Sequence, residues 1–233
     1  MSLYVIGDLH LSFGVHKPMD VFGGWENHVS ILKAAWLREI SAEDTVVLAG
    51  DTSWGMTFAE ALPDFQWIDA LPGRKIILKG NHDYWWSTAA KFYKFCEEHS
   101  FSNQFILNNN FYEYEDWAIC GTRGWFFEEE RSGQHDEKVF RRELIRLELS
   151  LSSARKLQAK KLVVMMHYPP LADGGGETKV SRLLSQYEAD DVVYGHLHGA
   201  SLYKTARLQM IIPSVFHSML PHSYRDGASR IHW

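Results

Sequence analysis

The chain has 233 residues, with 24 Lys and Arg against 29 Asp and Glu, which gives a formal net charge of −5 at pH 7. This length suits one large domain or two small ones, and a hydrophobic content of 45% is enough to bury a core, so a disordered chain is excluded. The mild acidity argues against partners held by bulk electrostatics, so we expect neither nucleic acid nor a membrane surface as a partner.

The cysteine content bears on the compartment. The sequence contains two cysteines, Cys96 and Cys120, which excludes a disulfide framework and favours a reducing environment. No apolar run approaches the ~18 residues of a membrane span. The first residues carry neither the basic segment nor the apolar stretch of a leader peptide. We therefore expect a cytoplasmic protein.

Short apolar runs alternate with amphipathic stretches, which is typical of a layered α/β fold. No linker or repeat divides the chain, so we interpret 1–233 as one domain. Strands are predicted at 3–6, 45–49, 75–78, 162–166 and 192–194, more weakly at 105–107 and 117–120, and as a last strand or hairpin at 208–212 and 214–216. Helices are predicted at 26–40, at 87–98 with Ser87 as N-cap, at 136–160 with Asp136 as N-cap, and at 178–187.

One regularity points to function, because five predicted strands each run into a polar side chain. These side chains are Asp8, Asp51, Asn81, His167 and His196. In open α/β sheets, ligands bind outside the carboxyl ends of the strands. The five groups could therefore converge on one spot.

The spacing of these residues favours metal binding. Asp8 and His10 are two residues apart, so on an extended segment both can face one ion, and His196 and His198 have the same spacing. The Asp51 carboxylate has two oxygens and can bridge two ions.

Two further groups complete the donor set. Asn81 offers a neutral oxygen, which limits negative charge in a site built for an anionic substrate. His167 would complete the ligands of the second ion. This mixture of oxygen and nitrogen ligands suits Mn²⁺, Fe or Zn²⁺ better than Ca²⁺.

The motif blocks resemble those of the calcineurin-like metallophosphoesterase superfamily, whose pattern is D-x-H, G-D, G-N-H-[DE], H and G-H-x-H. Here the blocks are G-D-L-H at 7–10, G-D at 50–51, G-N-H-D at 80–83, a histidine at 167 and G-H-L-H at 195–198. The third block and the chain length most resemble small bacterial predicted phosphohydrolases. Protein serine/threonine phosphatases differ, since they carry a glycine after the first histidine and G-N-H-E.

The resemblance implies a four-layer αββα sandwich of two mixed β-sheets flanked by helices. It also implies two divalent ions, Mn²⁺ before Fe or Zn²⁺, with Asp51 shared between them. The implied ligands are Asp8, His10, Asp51 and His198 for the first ion, and Asp51, Asn81, His167 and His196 for the second. His82 would face the substrate as imidazolium, and Asp83 would orient its ring.

The function implied is hydrolysis of a small-molecule phosphate ester by direct attack of a metal-bridging hydroxide. The choice between monoester and diester stays open. A nucleotide or cyclic-nucleotide phosphodiesterase is the alternative. A non-catalytic interaction scaffold of the same fold is a third hypothesis, which the complete set of ligand positions disfavours.

Three further residues are candidates for substrate binding. Trp54 and Trp85 lie beside the motif blocks in sequence and could stack on a base or ring, or could equally pack to wall off the site. Arg123 could grip a phosphate oxygen, or form a salt bridge to the acidic run at 128–130. Arg141, Arg142 and Arg146 are interpreted as a solvated helix face paired with Glu143 or Glu148.

Overall fold

The computed structural model describes residues 1–126, 133–171 and 177–196, and the backbone of 229–232. The strands in these residues are β1 Leu3–Ile6, β2 Thr45–Leu48, β3 Arg74–Leu78, β4 Gln104–Leu107, β5 Phe111–Tyr114, β6 Trp117–Thr122, β7 Lys161–Met166, β8 Asp191–Tyr194 and β9 Ser229–His232. The helices are α1 His28–Glu39, α2 Phe58–Asp69, α3 Ala89–Glu98, α4 Gly133–Arg155 and α5 Lys179–Gln186. Within the same residues, no helix is both long and apolar enough to cross a bilayer.

The strands form two sheets. The first has the order β1-β2-β3-β4, with every neighbouring pair parallel. The second has the order β5-β6-β7-β8-β9, in which β6, β7 and β8 are parallel and an antiparallel strand closes each edge. The second sheet is therefore mixed, and the described strands of the first all run the same way.

Three apolar clusters show how sheets and helices stack. One joins the first sheet to α1, α2 and α3, a second joins the second sheet to α4 and α5, and a third lies between the sheets. Along β2, Val46 and Leu48 belong to the helix-facing cluster and Val47 to the inter-sheet cluster. Strands buried on both faces explain the continuous apolar runs of the sequence. The predicted α/β fold with two central sheets and flanking helices is confirmed.

Some boundaries differ from the sequence predictions. The helix predicted at 87–98 begins at Ala89, because the Thr88 side chain, not that of Ser87, accepts the hydrogen bond from Lys91 N–H. The long helix spans 133–155 instead of 136–160. Helix α2 is not predicted, since it contains Pro63, although Thr57 caps its start.

Strand β5 is also not predicted, and the segments 208–212 and 214–216 lie outside the described residues.

The topology brings the motif blocks together. The carboxyl ends of parallel strands β1, β2 and β3 lead into Asp8, Asp51 and Asn81 at one edge of the first sheet. Strands β7 and β8 lead into His167 and His196 at an edge of the second sheet. A hydrogen bond of 3.0 Å between His167 Nδ1 and the Ala49 carbonyl joins these two edges.

Candidate metal centre

Buried carboxylates and imidazoles meet where the two sheet edges join. Ligand atoms of Asp8, Asp51 and His167 all lie within 4.8 Å of one another, and all three residues are buried. Asp51 Oδ2 is 3.5 Å from His167 Nε2 and 3.8 Å from His10 Nε2. His10 Nε2 is also 3.8 Å from Asp8 Oδ1. Asp51 therefore has the central position that a bridging ligand requires.

Asn81 and His196 extend this cluster on the side of the second sheet. Asn81 Oδ1 lies 2.6 Å from His167 Nε2 and 2.9 Å from His196 Nδ1. The backbone N–H of His196 donates to Asp8 Oδ2 over 3.1 Å. The structure thus brings six of the seven predicted ligands together, and the seventh, His198, lies outside the described residues.

The backbone of this region adopts an uncommon conformation. Four of the predicted ligands have positive φ angles, namely Asp8 at 57°, His10 at 46°, Asp51 at 53° and His196 at 72°. Non-glycine residues seldom adopt this left-handed region, and such strain clusters at functional sites. The turns that follow β1, β2 and β8 therefore point their side chains at a shared centre at some energetic cost.

Two glycines allow the close approach of these turns. A Cβ atom at Gly80 would lie 2.0 Å from Asp51 Oδ1, and one at Gly50 would lie 2.5 Å from His167 Nδ1. Any side chain at either position would displace a predicted ligand. The glycines of the G-D and G-N-H-D blocks therefore serve packing around the centre.

The Asp83 side chain connects the loops that carry the motif blocks through hydrogen bonds. Its buried carboxylate accepts five hydrogen bonds, from the backbone N–H groups of Asp51, Thr52, Ser53 and Gly80 and from Trp85 Nε1. None of these bonds goes to the imidazole of His82. These bonds hold backbone groups and an indole, so orientation of the His82 ring by Asp83 stays a prediction. Asp83 positions the loops that carry Asp51 and Asn81.

His82 lies on the open side of the cluster. Its side chain is 36% exposed, its Nε2 lies 3.9 Å from Asp51 Oδ2, and its backbone N–H donates to Asp51 Oδ1 over 2.8 Å. The His82 and Trp54 ring centroids are 4.5 Å apart. A group in this position can meet a substrate that enters from solvent.

Burial sets the protonation states of the cluster. Burial, followed by the charges of Asp83 and Asp8, raises the pKa of Asp51 to about 9. Burial lowers the pKa of His167 to about 4, so its imidazole is neutral at pH 7. The neutral imidazole of His167 beside closely spaced carboxyl groups forms a donor set that a divalent cation would stabilise by displacing the proton of Asp51. The residues present therefore fit a metal site.

The two tryptophans predicted to bind substrate lie in different environments. Trp85 is 2% exposed and packs in the apolar core against Phe58, Phe65 and Phe92. The prediction that Trp85 contacts substrate is wrong, because the core requires this large side chain and encloses its ring. The packing alternative is the one observed.

Trp54 lies beside the metal ligands. Its ring stacks on His10 with centroids 4.9 Å apart and an interplanar angle of 20°. The Lys17 ammonium lies 4.5 Å from the centre of the same ring. A role for Trp54 at the substrate stays a prediction, now with a location that allows it.

Arg123 pairs with a residue of α4. Its Nη2 lies 3.4 Å from Glu143 Oε1, and its guanidinium lies 4.5 Å from the centre of the Trp125 ring. The acidic run at 128–130, the alternative partner, lies outside the described residues. The backbone carbonyl of Arg123 accepts hydrogen bonds from the N–H groups of His167 and Tyr168, so Arg123 adjoins the site. Binding of phosphate by Arg123 stays a prediction.

Sequence analysis missed two neighbours of the centre. The ring of Tyr168 lies 4.3 Å from that of His196 and 5.5 Å from that of His167, centroid to centroid. Its position directly after His167 is a signal that could have indicated it. Lys17, which brings a cation to Trp54, lies seven residues after His10 in the loop 14–25, and this closeness to the first motif block is a signal that could have indicated it.

Comparisons with known proteins identify the family of this chain. Residues 1–200 match the family model described as calcineurin-like phosphoesterase. The Gene 66 protein of Mycobacterium phage L5 is 40% identical over 86 residues, which are 35% of this chain and 40% of the phage protein.

Solved structures are similar to this chain at low identity. The phosphopantetheinyl hydrolase PptH from Mycobacterium tuberculosis aligns with a TM-score of 0.49 and 15% identity, over 99% of this chain and 95% of that chain. The protein AQ665 from Aquifex aeolicus aligns with a TM-score of 0.41 and 20% identity, over 80% of this chain and 94% of that chain.

A further solved structure aligns with a TM-score of 0.53 and 13% identity over 87% of each chain, which shows a shared fold. The family model covers all five motif blocks, and the strand ends carry those blocks to one place. The chain belongs to the calcineurin-like phosphoesterase family.

Proposed function

We propose that this protein is a cytoplasmic metal-dependent hydrolase that uses two divalent ions, Mn²⁺ before Fe or Zn²⁺, to cleave a small-molecule phosphate ester. Membership of the family supports phosphoester hydrolysis. The observation that carries the metal dependence is the convergence of buried ligand atoms from Asp8, Asp51 and His167 within 4.8 Å. Buried like charges at such distances are stable only when a proton or a cation compensates them.

The proposed ligands follow the positions of the side chains. Asp8, His10 and Asp51 would hold one ion together with His198, and Asp51, Asn81, His167 and His196 would hold the other. Bound divalent ions would supply Lewis-acid activation of the phosphoryl group and of the attacking water. Asp51 lies between the two sets of ligands, which supports its role as the shared one.

Three side chains outside the proposed ligand set would support the reaction. His82 lies at the open side, where its imidazolium would donate a hydrogen bond to the phosphoryl oxygens and a proton to the leaving oxygen. Trp54 stacks on His10 and would limit water access from that side. Asp83 acts as a positioning residue, since its five hydrogen bonds hold the loops of Asp51 and Asn81.

The experiment is hydrolysis of p-nitrophenyl phosphate by chelator-treated protein reloaded with Mn²⁺, Fe²⁺ or Zn²⁺. We expect turnover that depends on the metal and is lost in Asp51→Asn. Asp190→Asn is the matched control, because Asp190 is an exposed carboxylate at the amino end of β8, whereas the motif histidines follow the carboxyl end of that strand. Protein that retains no metal and cleaves no ester would contradict the proposal and favour the non-catalytic scaffold.

Nucleotide or cyclic-nucleotide phosphodiester hydrolysis is the second candidate, and the ring of Trp54 beside His82 favours it. Bis-p-nitrophenyl phosphate measured alongside the monoester separates the two. A preference for the diester, together with a raised KM for a nucleotide diester in Trp54→Leu, would support this candidate. A preference for the monoester would exclude it.

A further inference from the structure

A second pocket lies beside the metal centre. Its volume is about 160 Å³, and it is enclosed by the ends of β3, β4 and β6, the loop that precedes α3 and one face of α4. The lining includes Lys79, Arg123, Arg142 and Arg146, and none of the metal-ligand candidates is among the lining residues. The pocket is therefore a separate feature of the same edge of the molecule.

The lining carries an excess of positive charge. Four cationic side chains face one carboxylate, that of Glu143, and among the described residues no other acidic side chain lines the pocket. Glu143 is already engaged: its Oε1 lies 2.7 Å from Arg146 Nη1 and 3.4 Å from Arg123 Nη2, and its Oε2 accepts from Thr122 Oγ1 over 2.7 Å. The single Glu143 charge is thus shared between two guanidinium groups, and the four cations of the lining exceed the one carboxylate by three charges.

Part of this charge is withdrawn from solvent. The Arg123 side chain is only 12% exposed, and its Nε is a buried donor without an acceptor among the described residues. Burial lowers the pKa of Arg123, and the charges of Arg146 and Arg142 lower it further while Glu143 raises it. A partly buried group of like charges is stabilised by an anion, and guanidinium groups match the oxygens of phosphate bidentately.

The position of the pocket links it to the metal centre. Lys79 precedes Asn81 by two residues, so their Cα atoms are at most about 7 Å apart. The carbonyl of Arg123 accepts a hydrogen bond of 3.1 Å from the backbone N–H of His167. One small molecule could therefore place a phosphoryl group at the metal centre and a second anionic group in the pocket.

We propose that this basic pocket binds a second phosphate-like dianion of the substrate, so that the preferred substrates are small phosphate esters that carry another phosphate group. The assignment of the pocket to the substrate rests on the proposed function, whereas anion binding by the pocket does not. Free phosphate has the same chemistry as the distal group of such a substrate, so the test has two arms.

The first arm measures binding of inorganic phosphate to chelator-treated protein by calorimetry. Chelation removes the divalent ions through which the metal centre would bind phosphate, so the pocket variants show whether the remaining phosphate binding belongs to the basic pocket. We expect Arg142→Gln and Arg146→Gln each to weaken binding about tenfold or more, since each removes a charge-assisted contact. Thermal melts check that both variants fold.

The control for both arms is Arg141→Gln. Arg141 lies on the same helix but is exposed, pairs with Glu137 over 2.9 Å and is absent from the lining of the pocket. We expect its phosphate affinity to match that of wild type. If Arg142→Gln, Arg146→Gln and Arg141→Gln bound phosphate with equal affinity, or if wild type bound no phosphate, the proposal that this pocket binds an anion would be overturned.

The second arm compares alkyl monophosphates with the matching α,ω-alkyl bisphosphates of three to six carbons, using Mn²⁺-loaded protein. We expect wild type to favour one or more bisphosphates, and the ratio of kcat/KM between bisphosphate and monophosphate to fall about tenfold in Arg142→Gln but not in Arg141→Gln. Phosphate binding that depends on Arg142 with an unchanged ratio would assign the pocket to free phosphate and overturn the substrate class. Phosphate binding without hydrolysis of any ester would contradict the proposed function and leave the anion pocket supported.

Discussion

Asp83→Asn tests how the motif loops are held. The substitution keeps the shape of the side chain and replaces one carboxylate oxygen with an NH2 group. In the structure, Asp83 Oδ2 accepts from the N–H groups of Asp51 and Gly80 over 2.9 and 2.7 Å, and Oδ1 accepts from Thr52, Ser53 and the Trp85 indole over 2.8, 3.2 and 2.9 Å. In either orientation, the amide nitrogen faces at least two donors.

The size of the effect follows from these contacts. A buried donor left without an acceptor costs about 1–3 kcal/mol, so two of them cost about 2–6 kcal/mol. Removal of the Asp83 charge also relieves repulsion with Asp51, but this gain is small in metal-free protein. Burial raises the pKa of Asp83 although its five hydrogen-bond donors oppose that shift, and the raised pKa of Asp51, about 9, keeps Asp51 protonated at pH 7, so little charge repulsion is left to relieve. The lost hydrogen bonds therefore decide the sign.

Urea denaturation of chelator-treated protein at pH 7 measures the effect. We expect Asp83→Asn to lower the free energy of unfolding by about 2–6 kcal/mol. Asp190→Asn is the control, because the exposed Asp190 accepts from a single backbone donor, Leu162 N–H at 2.7 Å, and its amide can keep that bond. The control is expected to lose less than about 1 kcal/mol. An unfolding midpoint for Asp83→Asn equal to or above that of wild type would refute the reasoning.

Three other outcomes follow from the site and the core. His82→Asn is expected to retain its metal, because His82 is not a proposed ligand, and to lose a factor of about 10²–10⁴ in kcat. The control, His135→Asn at an exposed position, is expected to keep both its metal and its turnover. Metal analysis and turnover are measured on both variants, and normal turnover of His82→Asn would exclude a role for His82. Mn²⁺ binding below pH 9 is expected to release a proton from Asp51, so the Mn²⁺ affinity rises with pH up to about 9. Calorimetry in two buffers of different ionisation enthalpy measures whether protons are released or taken up. No proton release at pH 7 would contradict this prediction. Burial raises the pKa of Asp64 from 3.8 to about 6, so the folded state binds more protons than the unfolded state between these values. Wild type is therefore expected to lose about 2 kcal/mol of unfolding free energy relative to Asp64→Asn as the pH rises from 4 to 7. A difference that does not depend on pH would show that Asp64 is not destabilised by burial.

The positions of most strands and the identity of the metal-ligand candidates could be predicted from local sequence. Each apolar run stops at a glycine or a polar residue, and parallel strands place such stops at one edge of a sheet. Asp8, Asp51, Asn81, His167 and His196 all emerged in this way, and the structure brings all five together. Residues at strand ends are identified from the short-range sequence pattern alone, so this prediction does not require knowledge of the packing.

What a side chain meets after its strand ends depends on elements far away in sequence. Trp85 and Asp83 follow the motif asparagine closely, yet α2 and α3 cover Trp85, and the loop after β2 surrounds Asp83 with donors. Arg123 acquires a neighbour from α4 that its own segment does not reveal. The chain alone determined which residues could bind a metal, because ligand chemistry and strand ends are local properties. Only the tertiary structure decided which aromatic and charged neighbours are buried and which stay exposed beside the metal-ligand candidates, because burial depends on contacts between segments far apart in the sequence.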